Sequence, residues 1–259
     1  MMKKISVIIP TYNSEKYIKK SLNSIFIQNF DNYEIIICDN LSNDNTINII
    51  KKTSYSFKKK IKIYSRRDKG VADALNFGFT KANGDILCWL NSDDLYNHKF
   101  VFDKVINAFN NNKKKSYLVG NFINIDSKNN ILKYFYAFIP QKKINKFFYY
   151  NQIFTGAFFF RKKVFRTFKR FNIIYKYAFE YEIIIHALKK YEGIYINNFL
   201  CRFRILPSAL SSNKTDLKKE FDEILKKNKL KYSNSILVRV FLYLSQNILF
   251  EVIKNKIKF

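Results

Sequence analysis

Glycine, proline and cysteine are scarce in this chain of 259 residues, which contains 6, 3 and 3 of them. Cys38, Cys88 and Cys201 lie in apolar or strand-like segments without paired spacing. That pattern indicates neither a disulfide framework nor a cysteine metal cluster, and it favours a reducing cytosol. The apolar segment that follows Met1, residues 5–10, is too short for a signal peptide or a transmembrane span. We therefore expect a cytoplasmic protein.

Acidic residues are also few. The chain has 20 Asp and Glu against 47 Lys and Arg, which gives a formal net charge of +27. A charge of this size suits an anionic membrane surface or a nucleic acid. The same composition, rich in Lys, Asn, Ile, Tyr and Phe, is also what an AT-rich coding bias produces, so the charge need not have a partner. The basic residues are scattered, without a recognised nucleic-acid motif or stacking platform, which disfavours nucleic acid.

Apolar segments alternate with amphipathic ones in the first part of the chain. Strands are predicted at residues 5–9, 33–39 and 61–64, and helices at residues 15–28, with Ser14 as N-cap, and 45–52. The order β-α-β-α-β predicts an α/β fold with a Rossmann-like, mostly parallel sheet flanked by helices. In such sheets, ligands bind beyond the carboxyl ends of the strands.

Two strands end in acidic residues that are candidates for a site. The apolar run 86–90 leads to Asp93 and Asp94, and the run 33–38 leads to Asp39. Adjacent carboxylates suit Mg²⁺ or Mn²⁺, which keep substrate phosphates as further ligands. Taken alone, the pair could simply begin a turn before the helix near Phe100. Because parallel strands bring their acids to the same edge, a site is favoured.

Four segments, in order along the chain, resemble the motifs of glycosyltransferase family 2 in its bacterial surface-polysaccharide branch. They are residues 6–13 (SVIIPTYN), 39–46 (DNLSNDNT), 68–78 (DKGVADALNFG) and 90–94 (LNSDD). The resemblance runs from Ile5 to about Ser211 and implies a GT-A fold. It divides the chain into a catalytic domain, residues 1–215, and a helical tail, residues 216–259. Within the domain, residues up to about 100 would bind the nucleotide-sugar and the rest would bind the acceptor.

The resemblance implies roles for residues of the first three motifs. Asp39 would accept hydrogen bonds from the nucleotide base or ribose, and its alternative role is capping Ser42 or Thr46. Thr11 and Tyr12 would lie against the base. The backbone at Gly70 would approach the diphosphate near a helix N-terminus. The supporting candidates, each of which could equally be a surface charge, are Arg66, Lys69 and Asp73.

The fourth motif implies a divalent cation, Mn²⁺ or Mg²⁺. Asp93 would be a direct ligand that bridges the cation to the donor diphosphate, and Asp94 a ligand or an orienting residue. Asn91 also lies in the donor site, but many relatives carry Asp there. The neutral amide predicts weaker metal binding.

The second half of the chain would supply the acceptor site. Residues 152–161 resemble the segment that leads into it, and residues 178–188 resemble a helix whose first acid is the general base. Glu180 occupies that position; alternatively, it and Glu182 are helix N-terminal acids that the dipole stabilises. Arg204, in a late segment that resembles a diphosphate-contacting one, has a predicted phosphate role.

The final segment, residues 233–259, has apolar residues at helical spacing among cations, which suits an interfacial helix or one packed on the domain.

Together, the motifs and the resemblance predict an inverting, metal-dependent hexosyltransferase. It would move a sugar from a UDP- or dTDP-linked donor to a lipid-linked or growing surface glycan, such as lipopolysaccharide, at the inner membrane face. The alternatives are an inactive family member that acts as a scaffold and a basic nucleic-acid-binding protein.

Overall fold

A computed structural model describes residues 4–59, 61–137, 139, 147–148, 153–207 and 212–232. The strands of the main sheet are β1 Ile5–Thr11, β2 Tyr33–Asp39, β3 Ile61–Ser65, β4 Ile86–Trp89, β5 Leu95–Tyr96, β6 Tyr117–Ile125, β7 Ile131–Phe135, β9 Phe158–Arg161 and β10 Gly193–Arg204. Two short strands, β8 Phe147–Phe148 and β11 Lys231–Tyr232, pair separately. The helices are α1 Ile18–Phe26, α2 Thr46–Ser56, α3 Val71–Lys81, α4 Val101–Asn111, α5 Lys162–Phe168, α6 Glu180–Lys190 and α7 Lys214–Lys227, with a 3₁₀ turn at Thr155–Ala157.

The sheet has the order β3-β2-β1-β4-β9-β6-β10-β5, with β7 beside β6. Strands β3, β2, β1 and β4 are parallel, whereas β9 runs antiparallel to β4 and β6. The register pairs Thr11 with Asp39 and Asp39 with Ser65. The predicted β-α-β-α-β order is therefore confirmed, and the carboxyl ends of these strands form one edge.

Side chains that alternate along the parallel strands pack on opposite faces of the sheet. Ile8 belongs to a core cluster with residues of α3, α5, α6 and α7, whereas Val7 and Ile9 belong to a cluster with α1 and α4. Both clusters are rich in phenylalanine, and full burial of one such side chain contributes about 1.5–3 kcal/mol. Strands that are buried on both faces explain the continuous apolar runs of the sequence.

Both predicted helices differ from the observed ones in their boundaries. α1 begins at Ile18, and the predicted N-cap role of Ser14 is wrong, because the Ser14 hydroxyl contacts the carbonyl of Tyr12 and the Ser92 hydroxyl instead. α2 runs to Ser56, past the predicted end at residue 52. Helix ends are the part of a helix that a periodic pattern defines least well.

The predicted domain boundary after residue 215 falls inside α7, and the division itself stays a prediction. α7 packs its buried residues Phe221, Ile224 and Leu225 into the same cluster as α6. The proposed interfacial segment, residues 233–259, lies outside the described residues. In the described part of the chain, every helix is too short or too polar to cross a membrane.

Candidate active site

Asp39 anchors the edge at which β1, β2 and β3 end. Its carboxylate is buried and accepts hydrogen bonds from the hydroxyls of Thr11 (3.1 Å), Ser65 (2.7 Å) and Ser42 (2.5 Å) and from the backbone N–H of Ser42 (3.1 Å). A carboxylate has about four acceptor positions, so these four donors saturate it. The capping of Ser42, proposed as the alternative role, is present, and the nucleotide role stays a prediction.

The loops after β1 and β2 are bonded to each other. The Asn13 N–H donates to the Ser42 hydroxyl (3.0 Å), and the Asn43 N–H donates to the Asn13 side-chain oxygen (3.0 Å). Each loop leaves one large apolar side chain exposed, Tyr12 at 59% and Leu41 at 51%. Leu41 has a left-handed φ of 51°, which is uncommon for a bulky residue. The paired loops therefore present apolar surface beside Asp39, suited to a planar ring.

Gly70 precedes α3 with a φ of 111°, a conformation that residues with a side chain rarely adopt. An added Cβ would meet nothing within 4 Å, so backbone conformation, not crowding, requires glycine here. The Asp68 carboxylate accepts from the Gly70 N–H (2.8 Å), and Asn40 accepts from the Asp68 N–H (2.8 Å). These bonds hold an open backbone segment, with the exposed side chain of Lys69, next to the end of β2.

Arg66 and Asp73, predicted separately, interact with each other. The guanidinium of Arg66 lies 3.5 Å from the Asp73 carboxylate and 4.5 Å from the centre of the Phe77 ring. The same carboxylate accepts from the Lys69 N–H (3.2 Å). Asp73 therefore orients the basic loop; the sequence alone had left it as a possible surface charge.

Asp94 is fully buried after β4, and each of its carboxylate oxygens accepts one hydrogen bond from the protein. One accepts from the backbone N–H of Arg204 (2.9 Å) and the other from the side-chain amide of Asn91 (2.9 Å). Asn91 thus donates a hydrogen bond to the Asp94 carboxylate, whereas an Asp at this position would add a further negative charge. These two bonds suit the orienting role, one of the two roles considered for Asp94, and the choice between them stays a prediction.

Arg204 is buried and holds the loop that carries the acid pair. Its guanidinium donates to the carbonyls of Asp93 (2.9 Å) and Asp126 (2.7 Å) and to the side chain of Asn129 (2.7 Å). The guanidinium also lies 4.5 Å from the centre of the Tyr17 ring. All of these partners belong to the protein, so a contact between Arg204 and a diphosphate stays a prediction.

Burial raises the pKa of both acids of the pair. For Asp94 the charge of Asp93 raises the pKa further, whereas the bonds from Arg204 and Asn91 oppose the rise. For Asp93 the main cause is again burial, which its own backbone N–H and the charge of Arg204 partly offset. Asp94 is fully buried and Asp93 is partly buried, and a nearby cation would favour the ionised form of both carboxyl groups.

The donor set fits a divalent cation that is completed by its substrate. Within the described residues, no group of three or more His, Cys, Asp or Glu side chains comes together. Asp93 and Asp94 are the carboxylates of this loop, and each oxygen of Asp94 accepts one hydrogen bond from the protein. Mg²⁺ commonly binds through one or two carboxylates, with phosphates and water as its other ligands.

Glu180 opens α6 and is partly buried. Burial is the main cause that raises the pKa of its carboxyl group from 4.5 to about 7; the charge of Glu220 adds to the rise, and the Glu180 N–H opposes it. A group with this pKa can exchange a proton near neutral pH. These properties suit the predicted general base.

Asn76, whose role the sequence did not reveal, joins the two halves of the molecule. Its side chain accepts from the Phe171 N–H (2.8 Å) and donates to the Phe171 carbonyl (3.0 Å). α3 is thereby tied to the loop that leads to α6. The only sequence signal was the presence of Asn76 in the third motif, between Ala74 and Gly78.

A family model described as "Glycosyl transferase family 2" matches residues 6–169. An Escherichia coli protein, named as a UDP-Glc:alpha-D-GlcNAc-diphosphoundecaprenol beta-1,3-glucosyltransferase, is 30% identical over 225 residues, which are 84% of each chain. An uncharacterised glycosyltransferase of Rickettsia conorii is 32% identical over 145 residues. That match covers 54% of this chain but 23% of the rickettsial one, so the chain spans about a quarter of that relative.

Two solved structures share the fold. One is TarS of S. aureus in complex with UDP-GlcNAc, with a TM-score of 0.64 and 20% identity over 87% of this chain and 65% of that one. The other is a mannosyltransferase of Pyrobaculum calidifontis in complex with GDP-Man and Mn²⁺, with a TM-score of 0.64 and 14% identity over 88% of this chain and 64% of that one. The α/β, GT-A architecture expected from the sequence is confirmed.

Proposed function

The chain belongs to glycosyl transferase family 2 and is a glycosyltransferase, and from this premise we propose that it is an inverting, metal-dependent enzyme with a UDP- or dTDP-linked sugar donor. The observation that carries the proposal is that the acid pair, partly buried Asp93 and fully buried Asp94, follows β4 at the same strand edge as Asp39. Two of the relatives support a uridine donor, since their names or titles contain UDP-Glc and UDP-GlcNAc.

The nucleoside would bind over the paired loops. Tyr12 and Leu41 would contact the base, and Thr11 and Asp39 would lie beneath the ribose. Because four protein donors already saturate Asp39, a ligand N–H or O–H must replace one of the serine hydroxyls there. Ser42, on a partly exposed loop, is the partner that we expect to rotate away.

The diphosphate would lie between the acid pair and the start of α3. Asp93 would hold Mn²⁺ or Mg²⁺, and when bound this ion neutralises charge on the leaving nucleotide. Gly70 would let the backbone approach the phosphates at the N-terminus of α3, where the helix dipole favours an anion, and Arg66 and Lys69 would add positive charge. Asn91, Asp94 and Arg204 would keep Asp93 in place through the bonds described above.

Glu180 would act as the general base. The acceptor hydroxyl would attack the anomeric carbon on the side opposite the diphosphate, and Glu180 would take the hydroxyl proton as the new C–O bond forms and the bond to the diphosphate breaks. A pKa of about 7 leaves a large fraction of the group ionised at neutral pH. One displacement of this kind inverts the configuration of the anomeric carbon.

The acceptor would be a lipid-linked or growing surface glycan at the inner membrane face. The name of the E. coli relative includes a diphosphoundecaprenol acceptor. In this chain, Ile173 and Ile174 are exposed at 37% and 75% in the loop before α6, near the exposed cations Lys169, Arg170 and Lys176. Apolar tips among cations, on a chain of charge +27, suit an anionic membrane surface.

The donor-site proposal is tested by the thermal unfolding midpoint with UDP, dTDP, GDP or CMP, each with and without Mn²⁺. A ligand at 100 times its Kd stabilises the native state by about 2.7 kcal/mol, or about 5–10 °C for a chain of this size. We expect a Mn²⁺-dependent rise with UDP or dTDP in the wild type and in Asp222→Ala, a control at an exposed acid. The rise should be lost in Asp93→Ala, which keeps the carbonyl bonded to Arg204.

An equal rise in Asp93→Ala would overturn the metal assignment, and no rise with any nucleotide would favour a scaffold. The base is tested with Glu180→Gln, which should stop release of the nucleotide from its sugar donor in the presence of acceptor. The nucleotide-induced rise in the unfolding midpoint should remain. Near-normal turnover in this variant would refute the role of Glu180.

A further inference from the structure

Glu220, on α7, holds the segment that leads into α6. Its carboxylate accepts three consecutive backbone N–H groups, from Lys176 (2.9 Å), Tyr177 (2.7 Å) and Ala178 (2.9 Å). Glu180 follows this segment after a single residue. Hydrogen bonds to an ionised acceptor are roughly twice as strong as bonds between neutral groups. The approach to Glu180 is therefore fixed by a side chain more than 40 residues later in the sequence.

α7 is itself firmly placed against α6. The rings of Phe221 and Tyr181 lie 4.6 Å apart, and Ile224 and Leu225 are buried in the same core cluster as α6. Two polar contacts also link α7 to α6 and to the loop before it. The Tyr175 hydroxyl donates to Glu223 (2.9 Å), and Lys227 lies 3.6 Å from Glu182. A helix seated in this way can transmit its position to the start of α6.

We propose that Glu220 is a positioning residue for Glu180, so that α7 is part of the catalytic unit. By binding three N–H groups next to the base, Glu220 would set the point from which the Glu180 side chain reaches the acceptor hydroxyl. An error of about 1 Å in such a position can lower a rate by about 100-fold. The inference rests on the proposed function, because it takes Glu180 as the base.

Glu220 also acts on Glu180 through its charge, which raises the pKa of the Glu180 carboxyl. The other charged groups nearby are engaged elsewhere. Glu182 accepts from the Asn172 N–H (2.8 Å) and faces Lys227, and Glu223 bonds to Tyr175. A variant without the Glu220 charge should therefore ionise its base at a lower pH, an effect that a purely structural contact would not produce.

The test is the pH profile of kcat/KM for full-length Glu220→Gln. The glutamine amide has one oxygen that can accept from the backbone N–H groups, but its NH₂ group cannot accept. The segment before Glu180 therefore loses some of its three hydrogen bonds. We expect kcat to fall about 10- to 100-fold, with the KM for the sugar donor little changed. The acidic limb of the profile should move to lower pH.

Asp222→Asn is the matched control, since it makes the corresponding acid-to-amide change at an exposed position of the same helix. Its kcat and acidic limb should stay near wild type. Wild-type kcat in Glu220→Gln, or a loss of kcat without movement of the limb, would overturn the proposal. If Glu180→Gln also turns over normally, the base assignment has failed instead, and the two failures are thus distinguished.

A second variant keeps the test decisive if Glu220→Gln does not fold. Glu220→Asp retains the charge but withdraws it by one methylene. We expect a lower kcat with the acidic limb unmoved, and folding is checked by the nucleotide-induced rise in the unfolding midpoint. Wild-type kcat in a folded Glu220→Asp would overturn the positioning role.

Discussion

Glu180→Gln should stabilise the protein at alkaline pH while it removes the base. Burial raises the pKa of the Glu180 carboxyl from 4.5 to about 7, so the charged form is disfavoured in the folded chain. A raised carboxyl pKa means that the folded state binds the proton more tightly than the unfolded chain. Stability is therefore lost as the pH rises above 4.5, and the full loss is reached above about 7.

The size of this effect follows from the two pKa values. A tenfold change in proton affinity corresponds to about 1.4 kcal/mol, so the difference between 4.5 and about 7 sets a ceiling of about 3.4 kcal/mol. Because Glu180 is only partly buried, we expect about 2 kcal/mol at pH 8. For a chain of this length that is an increase of about 4–8 °C in the unfolding midpoint.

The assay compares the unfolding midpoints of wild type and Glu180→Gln between pH 5 and pH 8, in one ionic strength. The advantage of the variant should be small at pH 5 and should grow through neutral pH. Glu192→Gln, the same change at an exposed site, should show no such trend. A variant that is less stable than wild type at pH 8, or a difference that does not change with pH, would refute the argument from burial.

Two further predictions concern stability away from the base. Leu41→Gly should stabilise the chain by about 0.5–1 kcal/mol in urea unfolding, because glycine removes the strain of φ 51° at a side chain that is 51% exposed; a loss of stability would contradict this. Glu34→Gln should destabilise it by about 2–3 kcal/mol at pH 7. Although burial of Glu34 acts in the opposite direction, bonds from Lys62, Ser6 and the Asn83 N–H lower the pKa of its carboxyl to about 2. Its contribution is therefore complete above pH 4.5 and is lost as the pH falls towards 2, so urea unfolding should show the two proteins converging in acid, and a constant difference would refute the assignment.

The sequence was sufficient for the parallel half of the sheet and for the position of its acids. The strands β1 and β2 are mostly apolar and buried, β3 alternates apolar and polar residues, and their order with amphipathic helices leaves few arrangements other than a parallel sheet. Once the strands are parallel, Asp39 and Asp93 must reach the same edge. These features depend on local pattern and chain direction, both of which can be read without coordinates.

The surroundings of those acids needed the tertiary structure. Arg204 had a predicted phosphate contact, yet its guanidinium lies among carbonyl and amide oxygens from residues 93, 126 and 129. From the sequence, Asp73 could be a site residue or a surface charge, and the structure shows its carboxylate beside the Arg66 guanidinium. A side chain with several donors can serve a ligand or the protein, and only packing decides which.

What the sequence by itself determined is the family, the fold and the candidates for donor, metal and base. Only the tertiary structure decided what holds the segment before Glu180, the proposed base, since Glu220 binds N–H groups 42 to 44 residues away and Asn76 pairs with a backbone 95 residues away. Such bonds join backbone groups, which are the same in every residue, to side chains on distant helices. They leave no periodicity or motif in the chain and exist only once the helices have packed.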